Sequence, residues 1–106
     1  MANVIYSDVT KTTAQYAKAL GHPARLAILK HLSTLDGCYT KDLVEEISMA
    51  QSTISQHLKE LKDAGLIIGI NELPKIKYCI DEENWHRAKR LFEKIFNEDF
   101  SSISHV

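Results

Sequence analysis

The sequence predicts a single, mainly α-helical domain of residues 1–106 that carries one small β-hairpin. Its length is enough for one hydrophobic core and too short for a second. Apolar residues recur at helical spacing in five segments, and one later stretch is instead rich in β-branched residues on both sides of a proline. Hydrophobic residues make up 44% of the chain and charged residues 25%, which argues against a disordered or disulfide-scaffold protein.

Two helices are predicted in the first third of the chain. The first spans about 8–20, begins just after Ser7 or Asp8, and is ended by Gly21. Pro23 opens the second helix, because proline at the first helical position gives up only a backbone donor that has no helical partner. We expect the apolar positions of this second helix to lie mostly in the core: Leu26, Ile28, Leu29 and Leu32.

The stretch of about 40–64 predicts two helices joined by a short turn, which is the order of a helix-turn-helix unit. Thr40 is expected to cap the first of these helices. The second occupies about 51–64 and ends at Gly65, since glycine accepts the left-handed conformation that closes a helix. The side chains expected to pack the two helices together are Leu43, Ile47, Met49, Ile54, Leu58 and Leu61.

A two-stranded hairpin and a final helix complete the predicted fold. Strands at 66–70 and 76–80 are joined by five residues, with the proline at the tip, where no ladder donor is needed. Asp81 is expected to cap a helix of about 82–98. Its first turn is acidic, which suits the positive end of the helix dipole.

The exposed face of the helix at 51–64 carries compact hydrogen-bonding side chains and no carboxylate before Glu60. In a major groove, glutamine reads adenine edges, serine and threonine reach bases or phosphates, and lysine approaches guanine or phosphate. The hairpin at about 66–80 can lie along the phosphate backbone as a wing. The predicted contacts to double-stranded DNA are Gln51, Ser52, Thr53, Ser55, Gln56 and Lys59 in the helix and Lys75 and Lys77 in the wing. His57 lies in the same helix and is expected within reach of phosphate.

The overall charge does not support nucleic-acid binding by itself. Thirteen lysines and arginines stand against fourteen acidic residues, and the isoelectric point is about 6.5. A module that binds protein instead of DNA therefore stays an alternative. An enzyme is not predicted, because the sequence contains no glycine-rich phosphate loop, no HExxH motif and no paired nucleophile and base.

Three segments together resemble the ArsR/SmtB family of winged helix-turn-helix transcriptional repressors. They are GHPARLAILKHL, KDLVEEISMAQSTISQHLKELKDAGLI and a wing ending in KYCID, and the resemblance covers about 12–96. Its most specific motifs are HPxRLxIL at 22–29 and QSTISQHLKxLxxAGLI at 51–67. The resemblance implies a homodimer, a recognition helix in each of two successive major grooves, and repression until an effector intervenes. It also implies a fold-holding role for His22, Pro23 and Arg25.

The apolar content of the terminal helices indicates a homodimer independently of the resemblance. A terminal helix contacts its own domain along one side, and two-fold symmetry is the commonest way to bury the surplus. The alternative is that the last helix folds back onto the monomer. The predicted interface, in the helices at about 8–20 and 82–98, consists of Val9, Tyr16, Leu20, Trp85, Leu91, Phe92, Ile95 and Phe96.

The metal ligands usual in the resembled family are missing from this sequence. Tyr39 and Lys41 stand where the family carries a Cys-x-Cys pair, and a lysine ammonium would repel a divalent cation. The last helix offers only Asp81 and His86, five residues apart. No metal or cofactor is predicted, and the effector is undetermined, although a metal- or thiol-responsive repressor with a non-standard sensor site stays an alternative.

The sequence predicts a cytoplasmic protein without a membrane partner. No apolar stretch reaches the roughly 18–20 residues that cross a bilayer, and the first ten residues lack the features of a signal peptide. Cys38 and Cys79 are too few for a disulfide framework and suit a reducing compartment.

Overall fold

The computed structural model describes residues 5–34 and 36–98 and confirms a mainly α-helical domain with a small β-sheet. The helices and strands, in chain order, are α1 (Asp8–Leu20), α2 (Pro23–Ser33), β1 (Cys38–Tyr39), α3 (Thr40–Ile47), α4 (Gln51–Asp63), β2 (Ile67–Glu72), β3 (Lys75–Ile80) and α5 (Glu82–Phe96). In this described part of the chain, no helix combines the length and the apolar character that a membrane crossing requires.

The sheet has three antiparallel strands in the order β1-β3-β2, so the predicted two-stranded wing is incomplete. The added strand β1 has only two residues, which is too short to produce a periodic pattern. The predicted five-residue connection is also wrong. Glu72 pairs with Lys75, so that Leu73 and Pro74 alone form the turn and both strands extend closer to the tip.

In the described part of the chain, three of the five helices begin at a side-chain cap, and the predicted cap of α5 is confirmed, since Asp81 Oδ1 accepts from the Asn84 amide at 3.1 Å. The Ser7 hydroxyl accepts a hydrogen bond from the Thr10 amide at 3.1 Å, as expected for α1. The imidazole Nδ1 of His22 accepts from the Ala24 amide at 3.0 Å and caps α2. The expectation that Thr40 caps α3 is wrong, because Thr40 is the first helical residue and Tyr39 occupies the cap position.

The core lies where α2, α3 and α4 meet the base of the wing. Fully buried side chains include Leu43 of α3 and Ile54 and Leu58 of α4, as the helix-turn-helix prediction requires. The prediction that Leu26 belongs to the core is wrong, since its side chain is 52% exposed. Leu26 lies two residues from buried Ile28, which places it about 160° around the helix, on the opposite side of α2.

Arg25 connects three helices through its guanidinium group. Its Nη1 donates to the backbone oxygens of Lys18 and Ala19, at 3.2 and 3.3 Å, and so satisfies carbonyls at the end of α1. Its Nε donates to Nδ1 of His57 on α4, at 3.2 Å. The expectation that His57 reaches phosphate is wrong, because its side chain is only 8% exposed and its ring centroid lies 4.4 Å from that of His22.

Acidification is expected to destabilise the fold through His57. Burial lowers the pKa of His57 below its ordinary 6.5, and the neighbouring His22 and Arg25 lower it further, while Glu60 opposes the shift. The fold holds the neutral ring, so its contribution is complete above about pH 6.5 and is lost as the pH falls through the lowered pKa. We expect the free energy of unfolding in urea to decrease from about pH 7.5 to about pH 5.5.

The variant His57→Asn provides the matched comparison. Its side-chain oxygen can still accept from Arg25, but the side chain does not titrate. The variant should therefore show a weaker pH dependence over the same range, and an equally steep pH dependence would show that another group is responsible.

Candidate nucleic-acid interface

Helix α4 presents one side to the core and the other side to solvent. Ile54, Leu58 and Leu61 are at most 1% exposed and hold the helix against α2 and α3. The predicted DNA-reading residues lie on the remaining face. Gln51, Ser52, Ser55, Gln56 and Lys59 are exposed and Thr53 is half-buried.

Two side chains of this face already have partners within the helix. Lys59 Nζ lies 2.8 Å from Asp63 Oδ2, and this contact raises the pKa of the lysine. The Nε2 of Gln56 donates to Glu60 Oε1 at 3.4 Å. A lysine that is paired with a carboxylate contributes less to a phosphate contact than an unpaired lysine, because the existing ion pair has to break first.

The wing lysines stand on the outer face of the sheet. Lys75 is exposed beside the turn, and Lys77 is half-buried between Ile70 of β2 and Tyr39 of β1. The stem of Lys77 runs over Gly37, where an added Cβ would lie 2.6 Å from Lys77 Cε. Glycine at position 37, which has a φ of 143°, therefore permits the close approach that fixes the Lys77 stem.

A groove that the sequence did not predict separates the wing tip from the first turns of α3 and α4. It has a volume of about 300 Å³ and brings Lys41 close to Gln51 and Lys75. The first turn of α4 contains no acidic residue and receives no side-chain cap from Ala50, so the positive end of the helix dipole faces outward there. The sequence does contain a signal for a cation at this groove, namely Lys41 at the polar start of α3. By itself, however, the sequence indicated only that Lys41 would repel a divalent metal ion.

A second and larger groove, of about 780 Å³, runs between α1 and α5. Five of the eight predicted interface residues line it: Val9, Leu91, Phe92, Ile95 and Phe96. The other three lie elsewhere. Tyr16 is 3% exposed within the core of its own chain, while Leu20 and Trp85 are half-buried and pack against that core.

Neither metal nor thiol chemistry is favoured by the groups that the structure describes. Across residues 5–34 and 36–98, no three His, Cys, Asp or Glu side chains converge as metal ligands would. Burial raises the pKa of Cys38 to about 11, with Asp42 and Cys79 adding to the shift, so the thiol stays protonated and unreactive. Cys79 is also a free thiol and donates to the Asp36 carbonyl at 3.2 Å.

This architecture, an exposed helix of a helix-turn-helix unit beside a β-wing, is a winged helix-turn-helix domain. Solved structures of other proteins share it, among them the following two. One is the homodimeric winged helix-turn-helix DNA-binding domain of a possible ArsR-family regulator from Mycobacterium bovis, with a TM-score of 0.69 and 26% identity over 100% of this chain and 99% of that one. The other is an ArsR-like transcriptional regulator from Rhodococcus sp. RHA1, with a TM-score of 0.75 and 21% identity over 84% and 83% of the two chains.

The sequence comparisons identify the family. The profile described as "Bacterial regulatory protein, arsR family" matches residues 22–68. The HTH-type transcriptional regulator YgaV of Escherichia coli is 37% identical over 66% of this chain and 71% of its own length. The HTH-type transcriptional regulator NmtR of Mycobacterium tuberculosis is 33% identical over 88% of this chain and 75% of its own length. The HTH-type transcriptional repressor SmtB of the same species is 34% identical over 73% of this chain and 56% of its own length. The chain belongs to the ArsR family of DNA-binding transcriptional regulators.

Proposed function

We propose that this regulator is a homodimeric repressor that reads a two-fold symmetric operator. In each protomer α4 enters the major groove and the wing follows the phosphate backbone. The observation that carries the proposal is the division of α4 into a buried apolar side and an exposed side of amide and hydroxyl groups, with Lys75 of the wing lining one groove together with the first residue of α4. Repression is the role named for the related SmtB.

The groove between α1 and α5 supports the homodimer. Phe96 is 78% exposed in the single chain and lies parallel to Phe92, with the ring centroids 6.2 Å apart. Val9 and Ile95, both exposed, extend the same apolar surface. A second copy would cover this surface and place two α4 helices about 34–36 Å apart, the spacing of successive major grooves. The related domain from Mycobacterium bovis is homodimeric, which agrees with this arrangement.

Two substitutions test whether α4 reads bases while the wing holds phosphates. Gln56→Ala should lower the preference for the operator over random duplex, because a glutamine amide discriminates adenine through two hydrogen bonds, worth about 1–3 kcal/mol. Lys77→Ala should weaken binding to both duplexes alike. It should also make the plot of log affinity against log salt shallower by about one unit per protomer, since one phosphate contact is lost. Fluorescence anisotropy over a salt series measures both quantities.

The operator for this test comes from selection of bound duplexes from a random library with the purified protein. Enrichment of a palindrome would support both the DNA partner and the symmetric dimer. A lack of enrichment would favour the rival function, a winged-helix module that binds protein. If Gln56→Ala and Lys77→Ala gave the same salt slopes and the same specificity ratios, the division of roles between helix and wing would be wrong.

The proposal also includes the cellular location of the protein and the roles of its other DNA-contacting residues. A repressor acts where the chromosomal DNA lies, so we place the protein in the cytoplasm. Lys59 and Lys75 are assigned to the phosphate backbone, and Gln51, Ser52, Thr53 and Ser55 are assigned to base edges or adjacent phosphates.

A further inference from the structure

Tyr39 connects the tip of the wing to the base of the helix-turn-helix unit. It is the second residue of β1 and immediately precedes α3. Its hydroxyl donates a hydrogen bond to Glu72 Oε1, and Lys75 Nζ lies 5.0 Å from the centroid of its ring. Glu72 and Lys75 are the last residues paired before the two-residue turn. One side chain therefore contacts both strands at the tip of the wing.

The two contacts keep an opposite-charge pair apart. Glu72 and Lys75 are directly opposite each other on adjacent strands, a position in which a carboxylate and an ammonium ordinarily interact. Glu72 and Lys75 nevertheless form no ion pair; among the residues that the structure describes, the ion pair found is that of Lys59 with Asp63. The carboxylate of Glu72 is held by the phenol, and the ammonium of Lys75 is held over the aromatic face, where a cation is attracted by the ring quadrupole.

The phenol of Tyr39 keeps the proton that it donates. The hydrogen bond to Glu72 raises the pKa of Tyr39 above its ordinary value of 10, so the phenol is protonated at physiological pH. The ring meanwhile keeps Lys75 beside the groove that also contains Lys41 and the first residue of α4.

We infer that Tyr39 is a positioning residue for DNA binding, which keeps Glu72 from neutralising Lys75 and so leaves the Lys75 ammonium available to a backbone phosphate. The inference rests on the proposed function, because it assigns Lys75 to the phosphate backbone. It adds a residue outside both α4 and the wing hairpin to the determinants of affinity.

The variant Tyr39→Phe tests this role, because it keeps the ring and removes only the hydroxyl. Glu72 loses its donor and becomes free to pair with Lys75 across the strands. We expect DNA affinity at about 150 mM salt to fall roughly three- to tenfold, and the salt slope to become shallower by up to about one unit per protomer. Tyr6→Phe, which removes the hydroxyl of an exposed tyrosine before α1, is the matched control and should leave both quantities unchanged.

Second substitutions separate positioning from a general loss of structure. In a Glu72→Gln background no carboxylate can pair with Lys75, so adding Tyr39→Phe should leave the salt slope unchanged. In a Lys75→Ala background the same addition should also have no effect on the slope. If Tyr39 only stabilised the fold, Tyr39→Phe would change DNA affinity and the salt slope by the same amount in all three backgrounds, because the free-energy effects of independent sites add.

The outcomes also separate this inference from the proposed function. If the wild-type protein and Lys77→Ala behave as proposed but Tyr39→Phe has the wild-type salt slope, the positioning role of Tyr39 is wrong and the DNA-binding proposal stands. If the wild-type protein enriches no DNA sequence and its binding shows no salt dependence, the proposed function itself has failed.

Discussion

Arg25→Ala is expected to lower the free energy of unfolding by about 2–3 kcal/mol, because one guanidinium group makes three hydrogen bonds that the variant loses. Two of them satisfy backbone carbonyls at the end of α1, and the third reaches His57 inside α4. Removing the donors leaves the part-buried Ala19 carbonyl and His57 Nδ1 without the arginine, while the exposed Lys18 carbonyl still accepts from the Gly21 amide. For a domain of this size, such a loss corresponds to a decrease in Tm of roughly 10 °C or more.

Two control variants identify the source of this loss. Arg25→Lys should recover little of the stability, since a lysine ammonium cannot place donors at three acceptors on two helices as the planar guanidinium does. Arg87→Ala removes an exposed arginine from α5 and should change stability by less than about 0.5 kcal/mol. Thermal unfolding must be followed at one protein concentration, because dimerisation shifts the apparent Tm. A difference below about 0.5 kcal/mol between Arg25→Ala and wild type would contradict the structural role.

The helices were predictable from the sequence because their boundaries are encoded locally. Pro23 and Gly65 lie beside observed ends of α2 and α4, as their backbone preferences require. Gly21 also lies at the end of α1, although its φ of −80° is open to any residue. The exposed face of α4 was predictable for the same reason, since a spacing of three and four residues assigns each side chain to one side of a helix. The ion pair of Lys59 with Asp63 has the same spacing of four residues, so it too is encoded locally, although the sequence analysis does not predict it.

The features that were missed depend on residues far apart in the chain. The contact of Arg25 with His57 joins positions 32 residues apart, and that of Tyr39 with Glu72 joins positions 33 residues apart. Strand β1 exists only because β3 folds back beside it. Periodicity within a window of one helix or strand contains no information on such pairs. The sequence alone therefore indicates a surface position for His57, and for Tyr39 only the absence of a metal-ligating cysteine.

The groove between α1 and α5 leads to the prediction with the largest expected effect on function. Phe96→Glu places a carboxylate on the exposed apolar surface that we propose for the dimer contact, and two-fold symmetry introduces it twice. The single chain should tolerate the change, because Phe96 is 78% exposed and is not part of the core. A dimer, by contrast, would have to bury both charges without partners, which is strongly unfavourable. We therefore expect a monomer in analytical ultracentrifugation at concentrations where the wild-type protein is dimeric.

Loss of the dimer should lower the affinity for the full palindrome by about 100-fold or more, because the second half-site is no longer bound as an intramolecular event. Affinity for an isolated half-site should stay near the wild-type value, since α4 and the wing are unchanged. Phe96→Leu keeps the surface apolar and should retain both the dimer and the affinity, and circular dichroism should show the same helix content in all three proteins. A Phe96→Glu variant that remains dimeric would place the interface elsewhere on the chain. A monomeric variant that binds the palindrome as tightly as wild type would show that the two copies read DNA independently of each other.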